Sequence, residues 1–219
     1  MKSIILIAPP AAGKGTQAEL LEEKYNIPHI STGDLLRNAI QENKSYSLEI
    51  KKMIDNGQFV SDNIVFELLK KRIEKEDCKS GYILDGFPRN ITQAELYNQY
   101  LSSMDKDLGI AILIDLDKEE AKSRINGRIS CQNCGRVYNL NFDKLKPIIE
   151  GKCDCCGSDL IKRNDDNEAT YEIRYNEYVN DTEPIINYYQ DKEILYIVDG
   201  NKGKEGIYQQ ILDILNKYQ

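Results

Sequence analysis

No stretch of the 219 residues is long and apolar enough to span a membrane, and the opening strand-like segment has no cleavable apolar core. Neither a membrane anchor nor a secretory signal is therefore expected. Histidine occurs once, as His29 after Pro28, so no Ser–His–Asp or Cys–His nucleophilic arrangement can be built, and His29 reads as a structural residue at a strand start. Positive charge is in deficit: 29 Lys and Arg stand against 36 Asp and Glu, a net charge of −7. A basic stripe interleaved with aromatics, an internal repeat and a low-complexity linker are all missing as well. These absences speak against a general nucleic-acid binder and confine any anion site to a local feature. What remains is a chain suited to one domain with an insertion, or two small ones, able to bury a proper core. A cytoplasmic, monomeric enzyme with no nucleic-acid or membrane partner fits.

Apolar runs of strand length alternate with helical periodicities. Strands are expected at 3–7, 28–30, 82–84, 110–115 and 194–198. Helices are expected at 15–25, 32–42, 45–56, 62–73, 91–101, 118–126, 165–190 with a break near Pro184, and 204–217. Strands buried on both faces and separated by helices indicate an α/β fold, a parallel sheet with helices on both faces. Ligands in such sheets sit beyond the C-terminal strand ends, where Ala8, Asp85 and Asp199 fall. Residues 127–164 break the rhythm and read as a small inserted domain.

Ile7-Ala-Pro-Pro-Ala-Ala-Gly-Lys-Gly-Thr-Gln17 lies between the first strand and the first helix, where a phosphate-binding loop works. Free N–H groups at the helix start would face the anion, with Lys14 as a mobile cation. Glycines usual in such loops are replaced by Ala8 and Ala11, and Gly15 intervenes between Lys14 and Thr16. At φ > 0 an alanine there would be strained. Asp85, ending a strand before Gly86, can hold Mg²⁺ directly or through water. Cys131-x-x-Cys134 and Cys153-x-x-Cys156 have the spacing of two knuckles around one structural Zn²⁺, in an insert too small for a core of its own. Cys155 would be a spare thiol and Cys78 a buried small side chain. Only eight of the 29 basic residues are Arg. Arg72 reads as part of a solvated helix face. The other seven (Arg37, Arg89, Arg124, Arg128, Arg136, Arg163 and Arg174) cluster around the motifs, where a planar, permanently charged fork suits phosphate or a nucleobase face.

Pro9–Gln17, Ser31-Thr-Gly-Asp-Leu-Leu-Arg37, Asp85-Gly-Phe-Pro-Arg89 and Arg163-Asn-Asp-Asp-Asn167 together closely resemble adenylate kinase, in the long form whose lid carries a zinc knuckle. The resemblance covers nearly the whole chain. It implies the P-loop nucleoside monophosphate kinase fold, with a five-stranded parallel sheet and a small zinc-binding lid insert. Residues 1–30, 61–126 and 165–219 would form the core domain, 31–60 the AMP-binding domain and 127–164 the lid. The reaction implied is reversible, Mg²⁺-dependent ATP + AMP ⇌ 2 ADP, with Lys14, Arg89, Arg128, Arg163 and Arg174 as the catalytic set. ATP would be held by Ala11, Ala12, Gly13, Lys14, Gly15 and Thr16, by Arg124 and Lys202 at the base, and by Arg128, Val137 and Tyr138 under the lid. AMP would be held by Thr32, Arg37, Gln58, Phe59, Val60, Gly86, Phe87, Pro88, Arg89, Gln93, Arg163 and Arg174. Thr32 and Gln93 favour AMP over pyrimidine monophosphates, since UMP/CMP kinases typically carry Ala at the position of Thr32 and a short lid without cysteines. A different acceptor or donor (UMP/CMP or GTP), or weak activity caused by Ala8 and Ala11, are the alternatives.

Overall fold

The computed structural model describes residues 3–42, 47–55, 60–162 and 166–218. Among these, the strands are β1 (Ile4–Ile7), β2 (His29–Ser31), β3 (Ile83–Asp85), β4 (Ile110–Asp115), β5 (Arg128–Cys131), β6 (Val137–Asn139), β7 (Leu160–Ile161) and β8 (Leu195–Asp199). The helices are α1 (Lys14–Tyr25), α2 (Thr32–Gln41), α3 (Ser47–Asp55), α4 (Asp62–Ile73), α5 (Ile91–Ser103), α6 (Lys118–Asn126), α7 (Glu168–Glu177), α8 (Pro184–Asp191) and α9 (Gly203–Tyr218). Five strands form one parallel sheet in the order β2-β3-β1-β4-β8, and β5, β6 and β7 form a separate antiparallel sheet. This is the expected doubly wound parallel sheet, with the expected insert beside it.

Period-two alternation along β1 divides the core. Ile5 and Ile7 join Leu84, Ala111 and Leu113 on the face covered by α2, α4, α5 and α8. Ile4 and Leu6 join Ile83, Ile112 and Ile114 on the face covered by α1, α6, α7 and α9. Both faces are apolar because a parallel sheet is covered on both sides. The small sheet has almost no core of its own: Cys131, Tyr138 and Cys153 are buried, with Ile129 and Leu160 packed against them.

At the N-terminal end of the large sheet, Gly109 has φ +83° and its α-carbon lies so close to the Ser3 carbonyl that a Cβ would collide with it. Only glycine fits both demands. Ile110 N–H donates to the same Ser3 oxygen (3.0 Å), and the Tyr218 hydroxyl of α9 donates to the Gly109 carbonyl (3.3 Å).

The long 165–190 helix is broken where expected, and the break is a π-helical turn, Tyr178–Thr182, closed by Glu183 N–H to Tyr178 O (2.8 Å). Pro184, at the first turn of α8, has no N–H to continue the ladder, and the wider turn absorbs this. It also points the Thr182 hydroxyl at the Arg89 carbonyl (2.9 Å). His29 starts β2, as expected, and its ring reaches Asp85, as described below. One reading is corrected. Arg72 does not lie on a solvated face: it makes a two-pronged pair with Asp77 (2.9 and 2.8 Å) and donates to the Cys78 sulfur (3.0 Å), tying the end of α4 to the following turn. Cys78 is buried, as expected.

Candidate active site and cysteine cluster

Strand β1 ends at Ile7 and the chain turns through Ala8–Gly13 before α1 begins. Ala12 N–H reaches back to Pro9 O (3.3 Å), Ala11 sits in the left-handed region at φ +65°, and Gly13 at φ +94° is the cap residue, with no side chain to satisfy the first N–H groups of the helix. Those groups and the positive end of the helix dipole are open to an anion. Of the two alanines standing for glycine, only Ala11 has positive φ; Ala8 is buried in ordinary backbone.

Lys14 donates from Nζ to the Ala8 carbonyl (2.8 Å), folding its ammonium over the loop. Desolvation, partly offset by Asp85 and reinforced by the positive charges of Arg89, Arg128 and Arg174, lowers its pKa to about 8. Strand β3 delivers Asp85 beside it, with Oδ2 3.2 Å from His29 Nε2 on neighbouring β2. Burial pushes the Asp85 carboxyl up, but His29, Lys14 and Arg89 together pull it below its ordinary value. The carboxylate is thus kept ionised next to the loop, which suits a hydrated Mg²⁺. For His29, burial lowers the pKa, and the bond and charge of Asp85 more than reverse it. Sequence patterning gave no sign of this pair, because it depends on β2 and β3 lying in register.

Gly86 follows at φ +76°, where an added Cβ would stand 2.9 Å from Thr32 Oγ1. The glycine lets Thr32 donate to its carbonyl (2.8 Å), and Arg89 Nε donates to the same oxygen (2.9 Å). Arg89 loses some of its basicity to burial and to the charge of Arg174. Gln93, 2% exposed, accepts from Arg89 N–H through Oε1 (2.8 Å) and donates through Nε2 to Asp62 Oδ1 (2.7 Å). Phe87 is fully buried, Val60 is buried, and the Phe87–Pro88 peptide is cis. Arg37 lies back on Asp34 (2.6 Å).

On the other side, Arg128 at the start of β5 makes a two-pronged pair with Asp166, whose side chain has no solvent exposure. Arg124 spans from Glu120 (3.0 Å) to the Gly200 carbonyl (3.1 Å), so it lies against the turn Gly200–Lys202 that follows β8. Gln17, one turn into α1 and 1% exposed, donates to Lys204 O (2.9 Å) at the start of α9, just after that turn. Gln17, His29, Asp62 and Asp166 are the contributors that the sequence reading missed. Each acts by holding another residue, and a single sequence carries no signal for such a partnership. Gln58, Phe59 and Arg163 lie outside the described residues.

The four expected cysteine ligands do meet. The sulfurs of Cys131, Cys134, Cys153 and Cys156 lie within 4.8 Å of one another. Four thiolates about 2.3 Å from one tetrahedral ion stand about 3.8 Å apart, so the set fits a metal. Each knuckle is closed by a glycine N–H: Gly135 to Cys131 O (3.1 Å) and Gly157 to Cys153 O (2.8 Å). Hydrogen bonds from Ser158 and Asn133 bring the Cys156 thiol down to about 5, and the Tyr138 hydroxyl lowers Cys153. Cys155 is exposed and outside the cluster. Tyr138 is built into this cluster: its hydroxyl faces Cys153 Sγ (3.5 Å) and accepts from Asp154 N–H (2.7 Å).

Comparison with known proteins gives one answer. The adenylate kinase family profile matches residues 6–194. The chain is 43% identical over 212 residues to the adenylate kinase of a Clostridium perfringens Type A strain, covering 97% of each chain. It is 45% identical over 214 residues to that of Clostridium botulinum (strain Langeland), covering 98% of each. With the profile matched over most of its length and relatives 43–45% identical from end to end, the chain belongs to the adenylate kinase family.

Proposed function

We propose that the protein transfers the terminal phosphoryl group of ATP to AMP, reversibly and with Mg²⁺, giving two ADP, through the charge ring around the phosphate loop. The observation that carries this reading is the turn Ala8–Gly13 opening onto the uncapped start of α1, with Lys14 Nζ folded back on the Ala8 carbonyl (2.8 Å). The positive charges of Arg89, Arg128 and Arg174 act on Lys14 and oppose its own when no anion is bound. A bridging polyphosphate relieves the repulsion, most of all as charge spreads over the transferring group. The α-phosphate of AMP is already anionic at neutral pH, so no general base is needed. Catalysis is alignment and charge neutralisation by Lys14, Arg89, Arg128 and Arg174, completed by Arg163 on the strength of its motif position. Mg²⁺ arriving with ATP neutralises phosphate charge, and Asp85 would hold it, directly or through water.

The donor would lie along Ala11–Thr16, with its base between Arg124 and the backbone at Lys202, and under the backbone of Val137 and Tyr138. The acceptor would lie among Thr32, Arg37, Gly86, Phe87, Pro88, Arg89, Gln93 and Val60, with Gln58 and Phe59 beside it. In this reading residues 31–60 close on AMP and 127–164 close on ATP, excluding the water that would otherwise take the phosphoryl group. Residues 1–30, 61–126 and 165–219 supply the fixed frame. Zn²⁺ in the four-cysteine cluster leaves no open coordination position, so its role is to hold the lid together. The enzyme would work as a cytoplasmic monomer. Among the described residues no helix is long and apolar enough to cross a membrane.

The test is ADP formation from ATP with AMP, CMP, UMP and GMP as separate acceptors, with and without Mg²⁺. Turnover with AMP that requires Mg²⁺ is expected. Turnover with another acceptor would move the specificity, and no turnover with any acceptor in folded, zinc-loaded protein would overturn the reading.

A further inference from the structure

Gln93 is held in an unusual way, because both partners of its carboxamide are chemically one-way. The Asp62 carboxylate can only accept, so it demands the NH₂ end. The Arg89 backbone N–H can only donate, so it demands the oxygen. The orientation of this amide is therefore fixed by chemistry and not by convention. Asn90 repeats the arrangement: its oxygen accepts from Gln93 N–H (2.8 Å) and its NH₂ donates to the same Asp62 oxygen (3.0 Å). Asp62 thus collects both amides on one carboxylate oxygen. It stands at the first residue of α4, where the helix dipole favours a negative charge.

A primary amide has two N–H groups and two oxygen lone pairs, and Gln93 spends one of each on these partners. One donor and one acceptor remain, side by side and in a fixed order. A purine edge with an exocyclic amine next to an unprotonated ring nitrogen complements that order. A purine with an exocyclic oxygen next to a ring N–H presents the reverse, and could be met only by turning the amide over. Turning it over would break both bonds and set donor against donor and acceptor against acceptor.

We propose that Asp62 is a specificity-determining positioning residue: by fixing the direction of the Gln93 amide, it makes the acceptor site select a 6-amino purine monophosphate over a 6-oxo one. The inference rests on the placement of Gln93 against the acceptor base given above. Asp62 touches no substrate; it acts through Gln93.

The test compares kcat/KM for AMP and for inosine monophosphate in the wild type and in Asp62→Ala, Asp62→Glu and Gln93→Leu, with the KM for ATP measured alongside. In Asp62→Ala the AMP preference is expected to fall about tenfold, the scale of losing one charge-assisted hydrogen bond. The KM for ATP should not change, and Asp62→Glu should restore much of the preference. A merely structural role for Asp62 would instead lower both acceptors and ATP together, and that result would overturn the proposal. If Gln93→Leu abolishes the preference while Asp62→Ala leaves it intact, the inference falls and the placement of Gln93 stands. If Gln93→Leu keeps the preference, both fall.

Discussion

At the level of single residues, Lys14 and Ala11 bear the clearest strain. With its pKa lowered to about 8, Lys14 loses its charge in the ligand-free protein as the pH rises through that value. Since kcat/KM reports the free enzyme, kcat/KM for ATP is expected to fall above about pH 8, and Lys14→Met should lower kcat by ~10²-fold or more. The same shift has the opposite sign for folding. Between pH 8 and the ordinary lysine value the unfolded chain binds more protons at this position, so its contribution to stability rises with pH. Ala11 holds a left-handed backbone conformation that costs an alanine about 1–2 kcal/mol. Replacing it by glycine is expected to stabilise the fold by about 1 kcal/mol, a rise of ~2–4 °C in a melting scan at this chain length. The gain is partly offset by glycine's greater freedom when unfolded. A lowered melting temperature would show that the methyl group packs usefully.

At the level of elements, three helices among the described residues begin with a side-chain cap: Ser31 on Asp34 N–H (3.3 Å), Asn90 on Gln93 N–H and Asn167 on Thr170 N–H (2.9 Å). The last starts the helix that carries Arg174, so Asn167→Ala should cost about 1 kcal/mol in urea denaturation and weaken catalysis more than a surface change of equal cost. The lid offers a sharper test. With three buried residues as its core, it would depend on a metal held by its four cysteines, whose sulfurs fit one. Chelation is expected to lower the melting temperature while still-folded protein keeps a near-normal rate; a collapse of the rate in folded, metal-stripped protein would give the metal a catalytic part. Element order, strand direction and the knuckle spacing were legible in the sequence because each is a local pattern: apolar runs, helical periodicity, paired CxxC. Even the break near Pro184 was visible, since one residue causes it. The π form of that break was not, because the Thr182–Arg89 bond that accompanies it joins residues far apart in the chain. The same reason hid His29 beside Asp85 and Gln17 against Lys204. Such contacts arise only when strands pair in register or helices dock.

At the level of the whole molecule, the parallel sheet joins two apolar cores, and β1 belongs to both through alternate side chains. They are expected to unfold together, with fluorescence and circular dichroism transitions that coincide. Gly109 is the point where this coupling is most exposed to a single change. A methyl group there would both strain the backbone and strike the Ser3 carbonyl, so Gly109→Ala should destabilise by about 3 kcal/mol or more, with an unchanged urea m value. The same glycine touches Ser3 through its α-carbon and Tyr218 through its carbonyl, which brings the first and last described residues to one spot. That spot lies at the end of the sheet opposite the phosphate loop. A short linker from Tyr218 back to Ser3 could therefore close the described stretch into a ring there without crossing the edge that carries the phosphate loop. New ends could then be opened at an exposed loop elsewhere, giving a rearranged chain that still assembles the same nucleotide pocket.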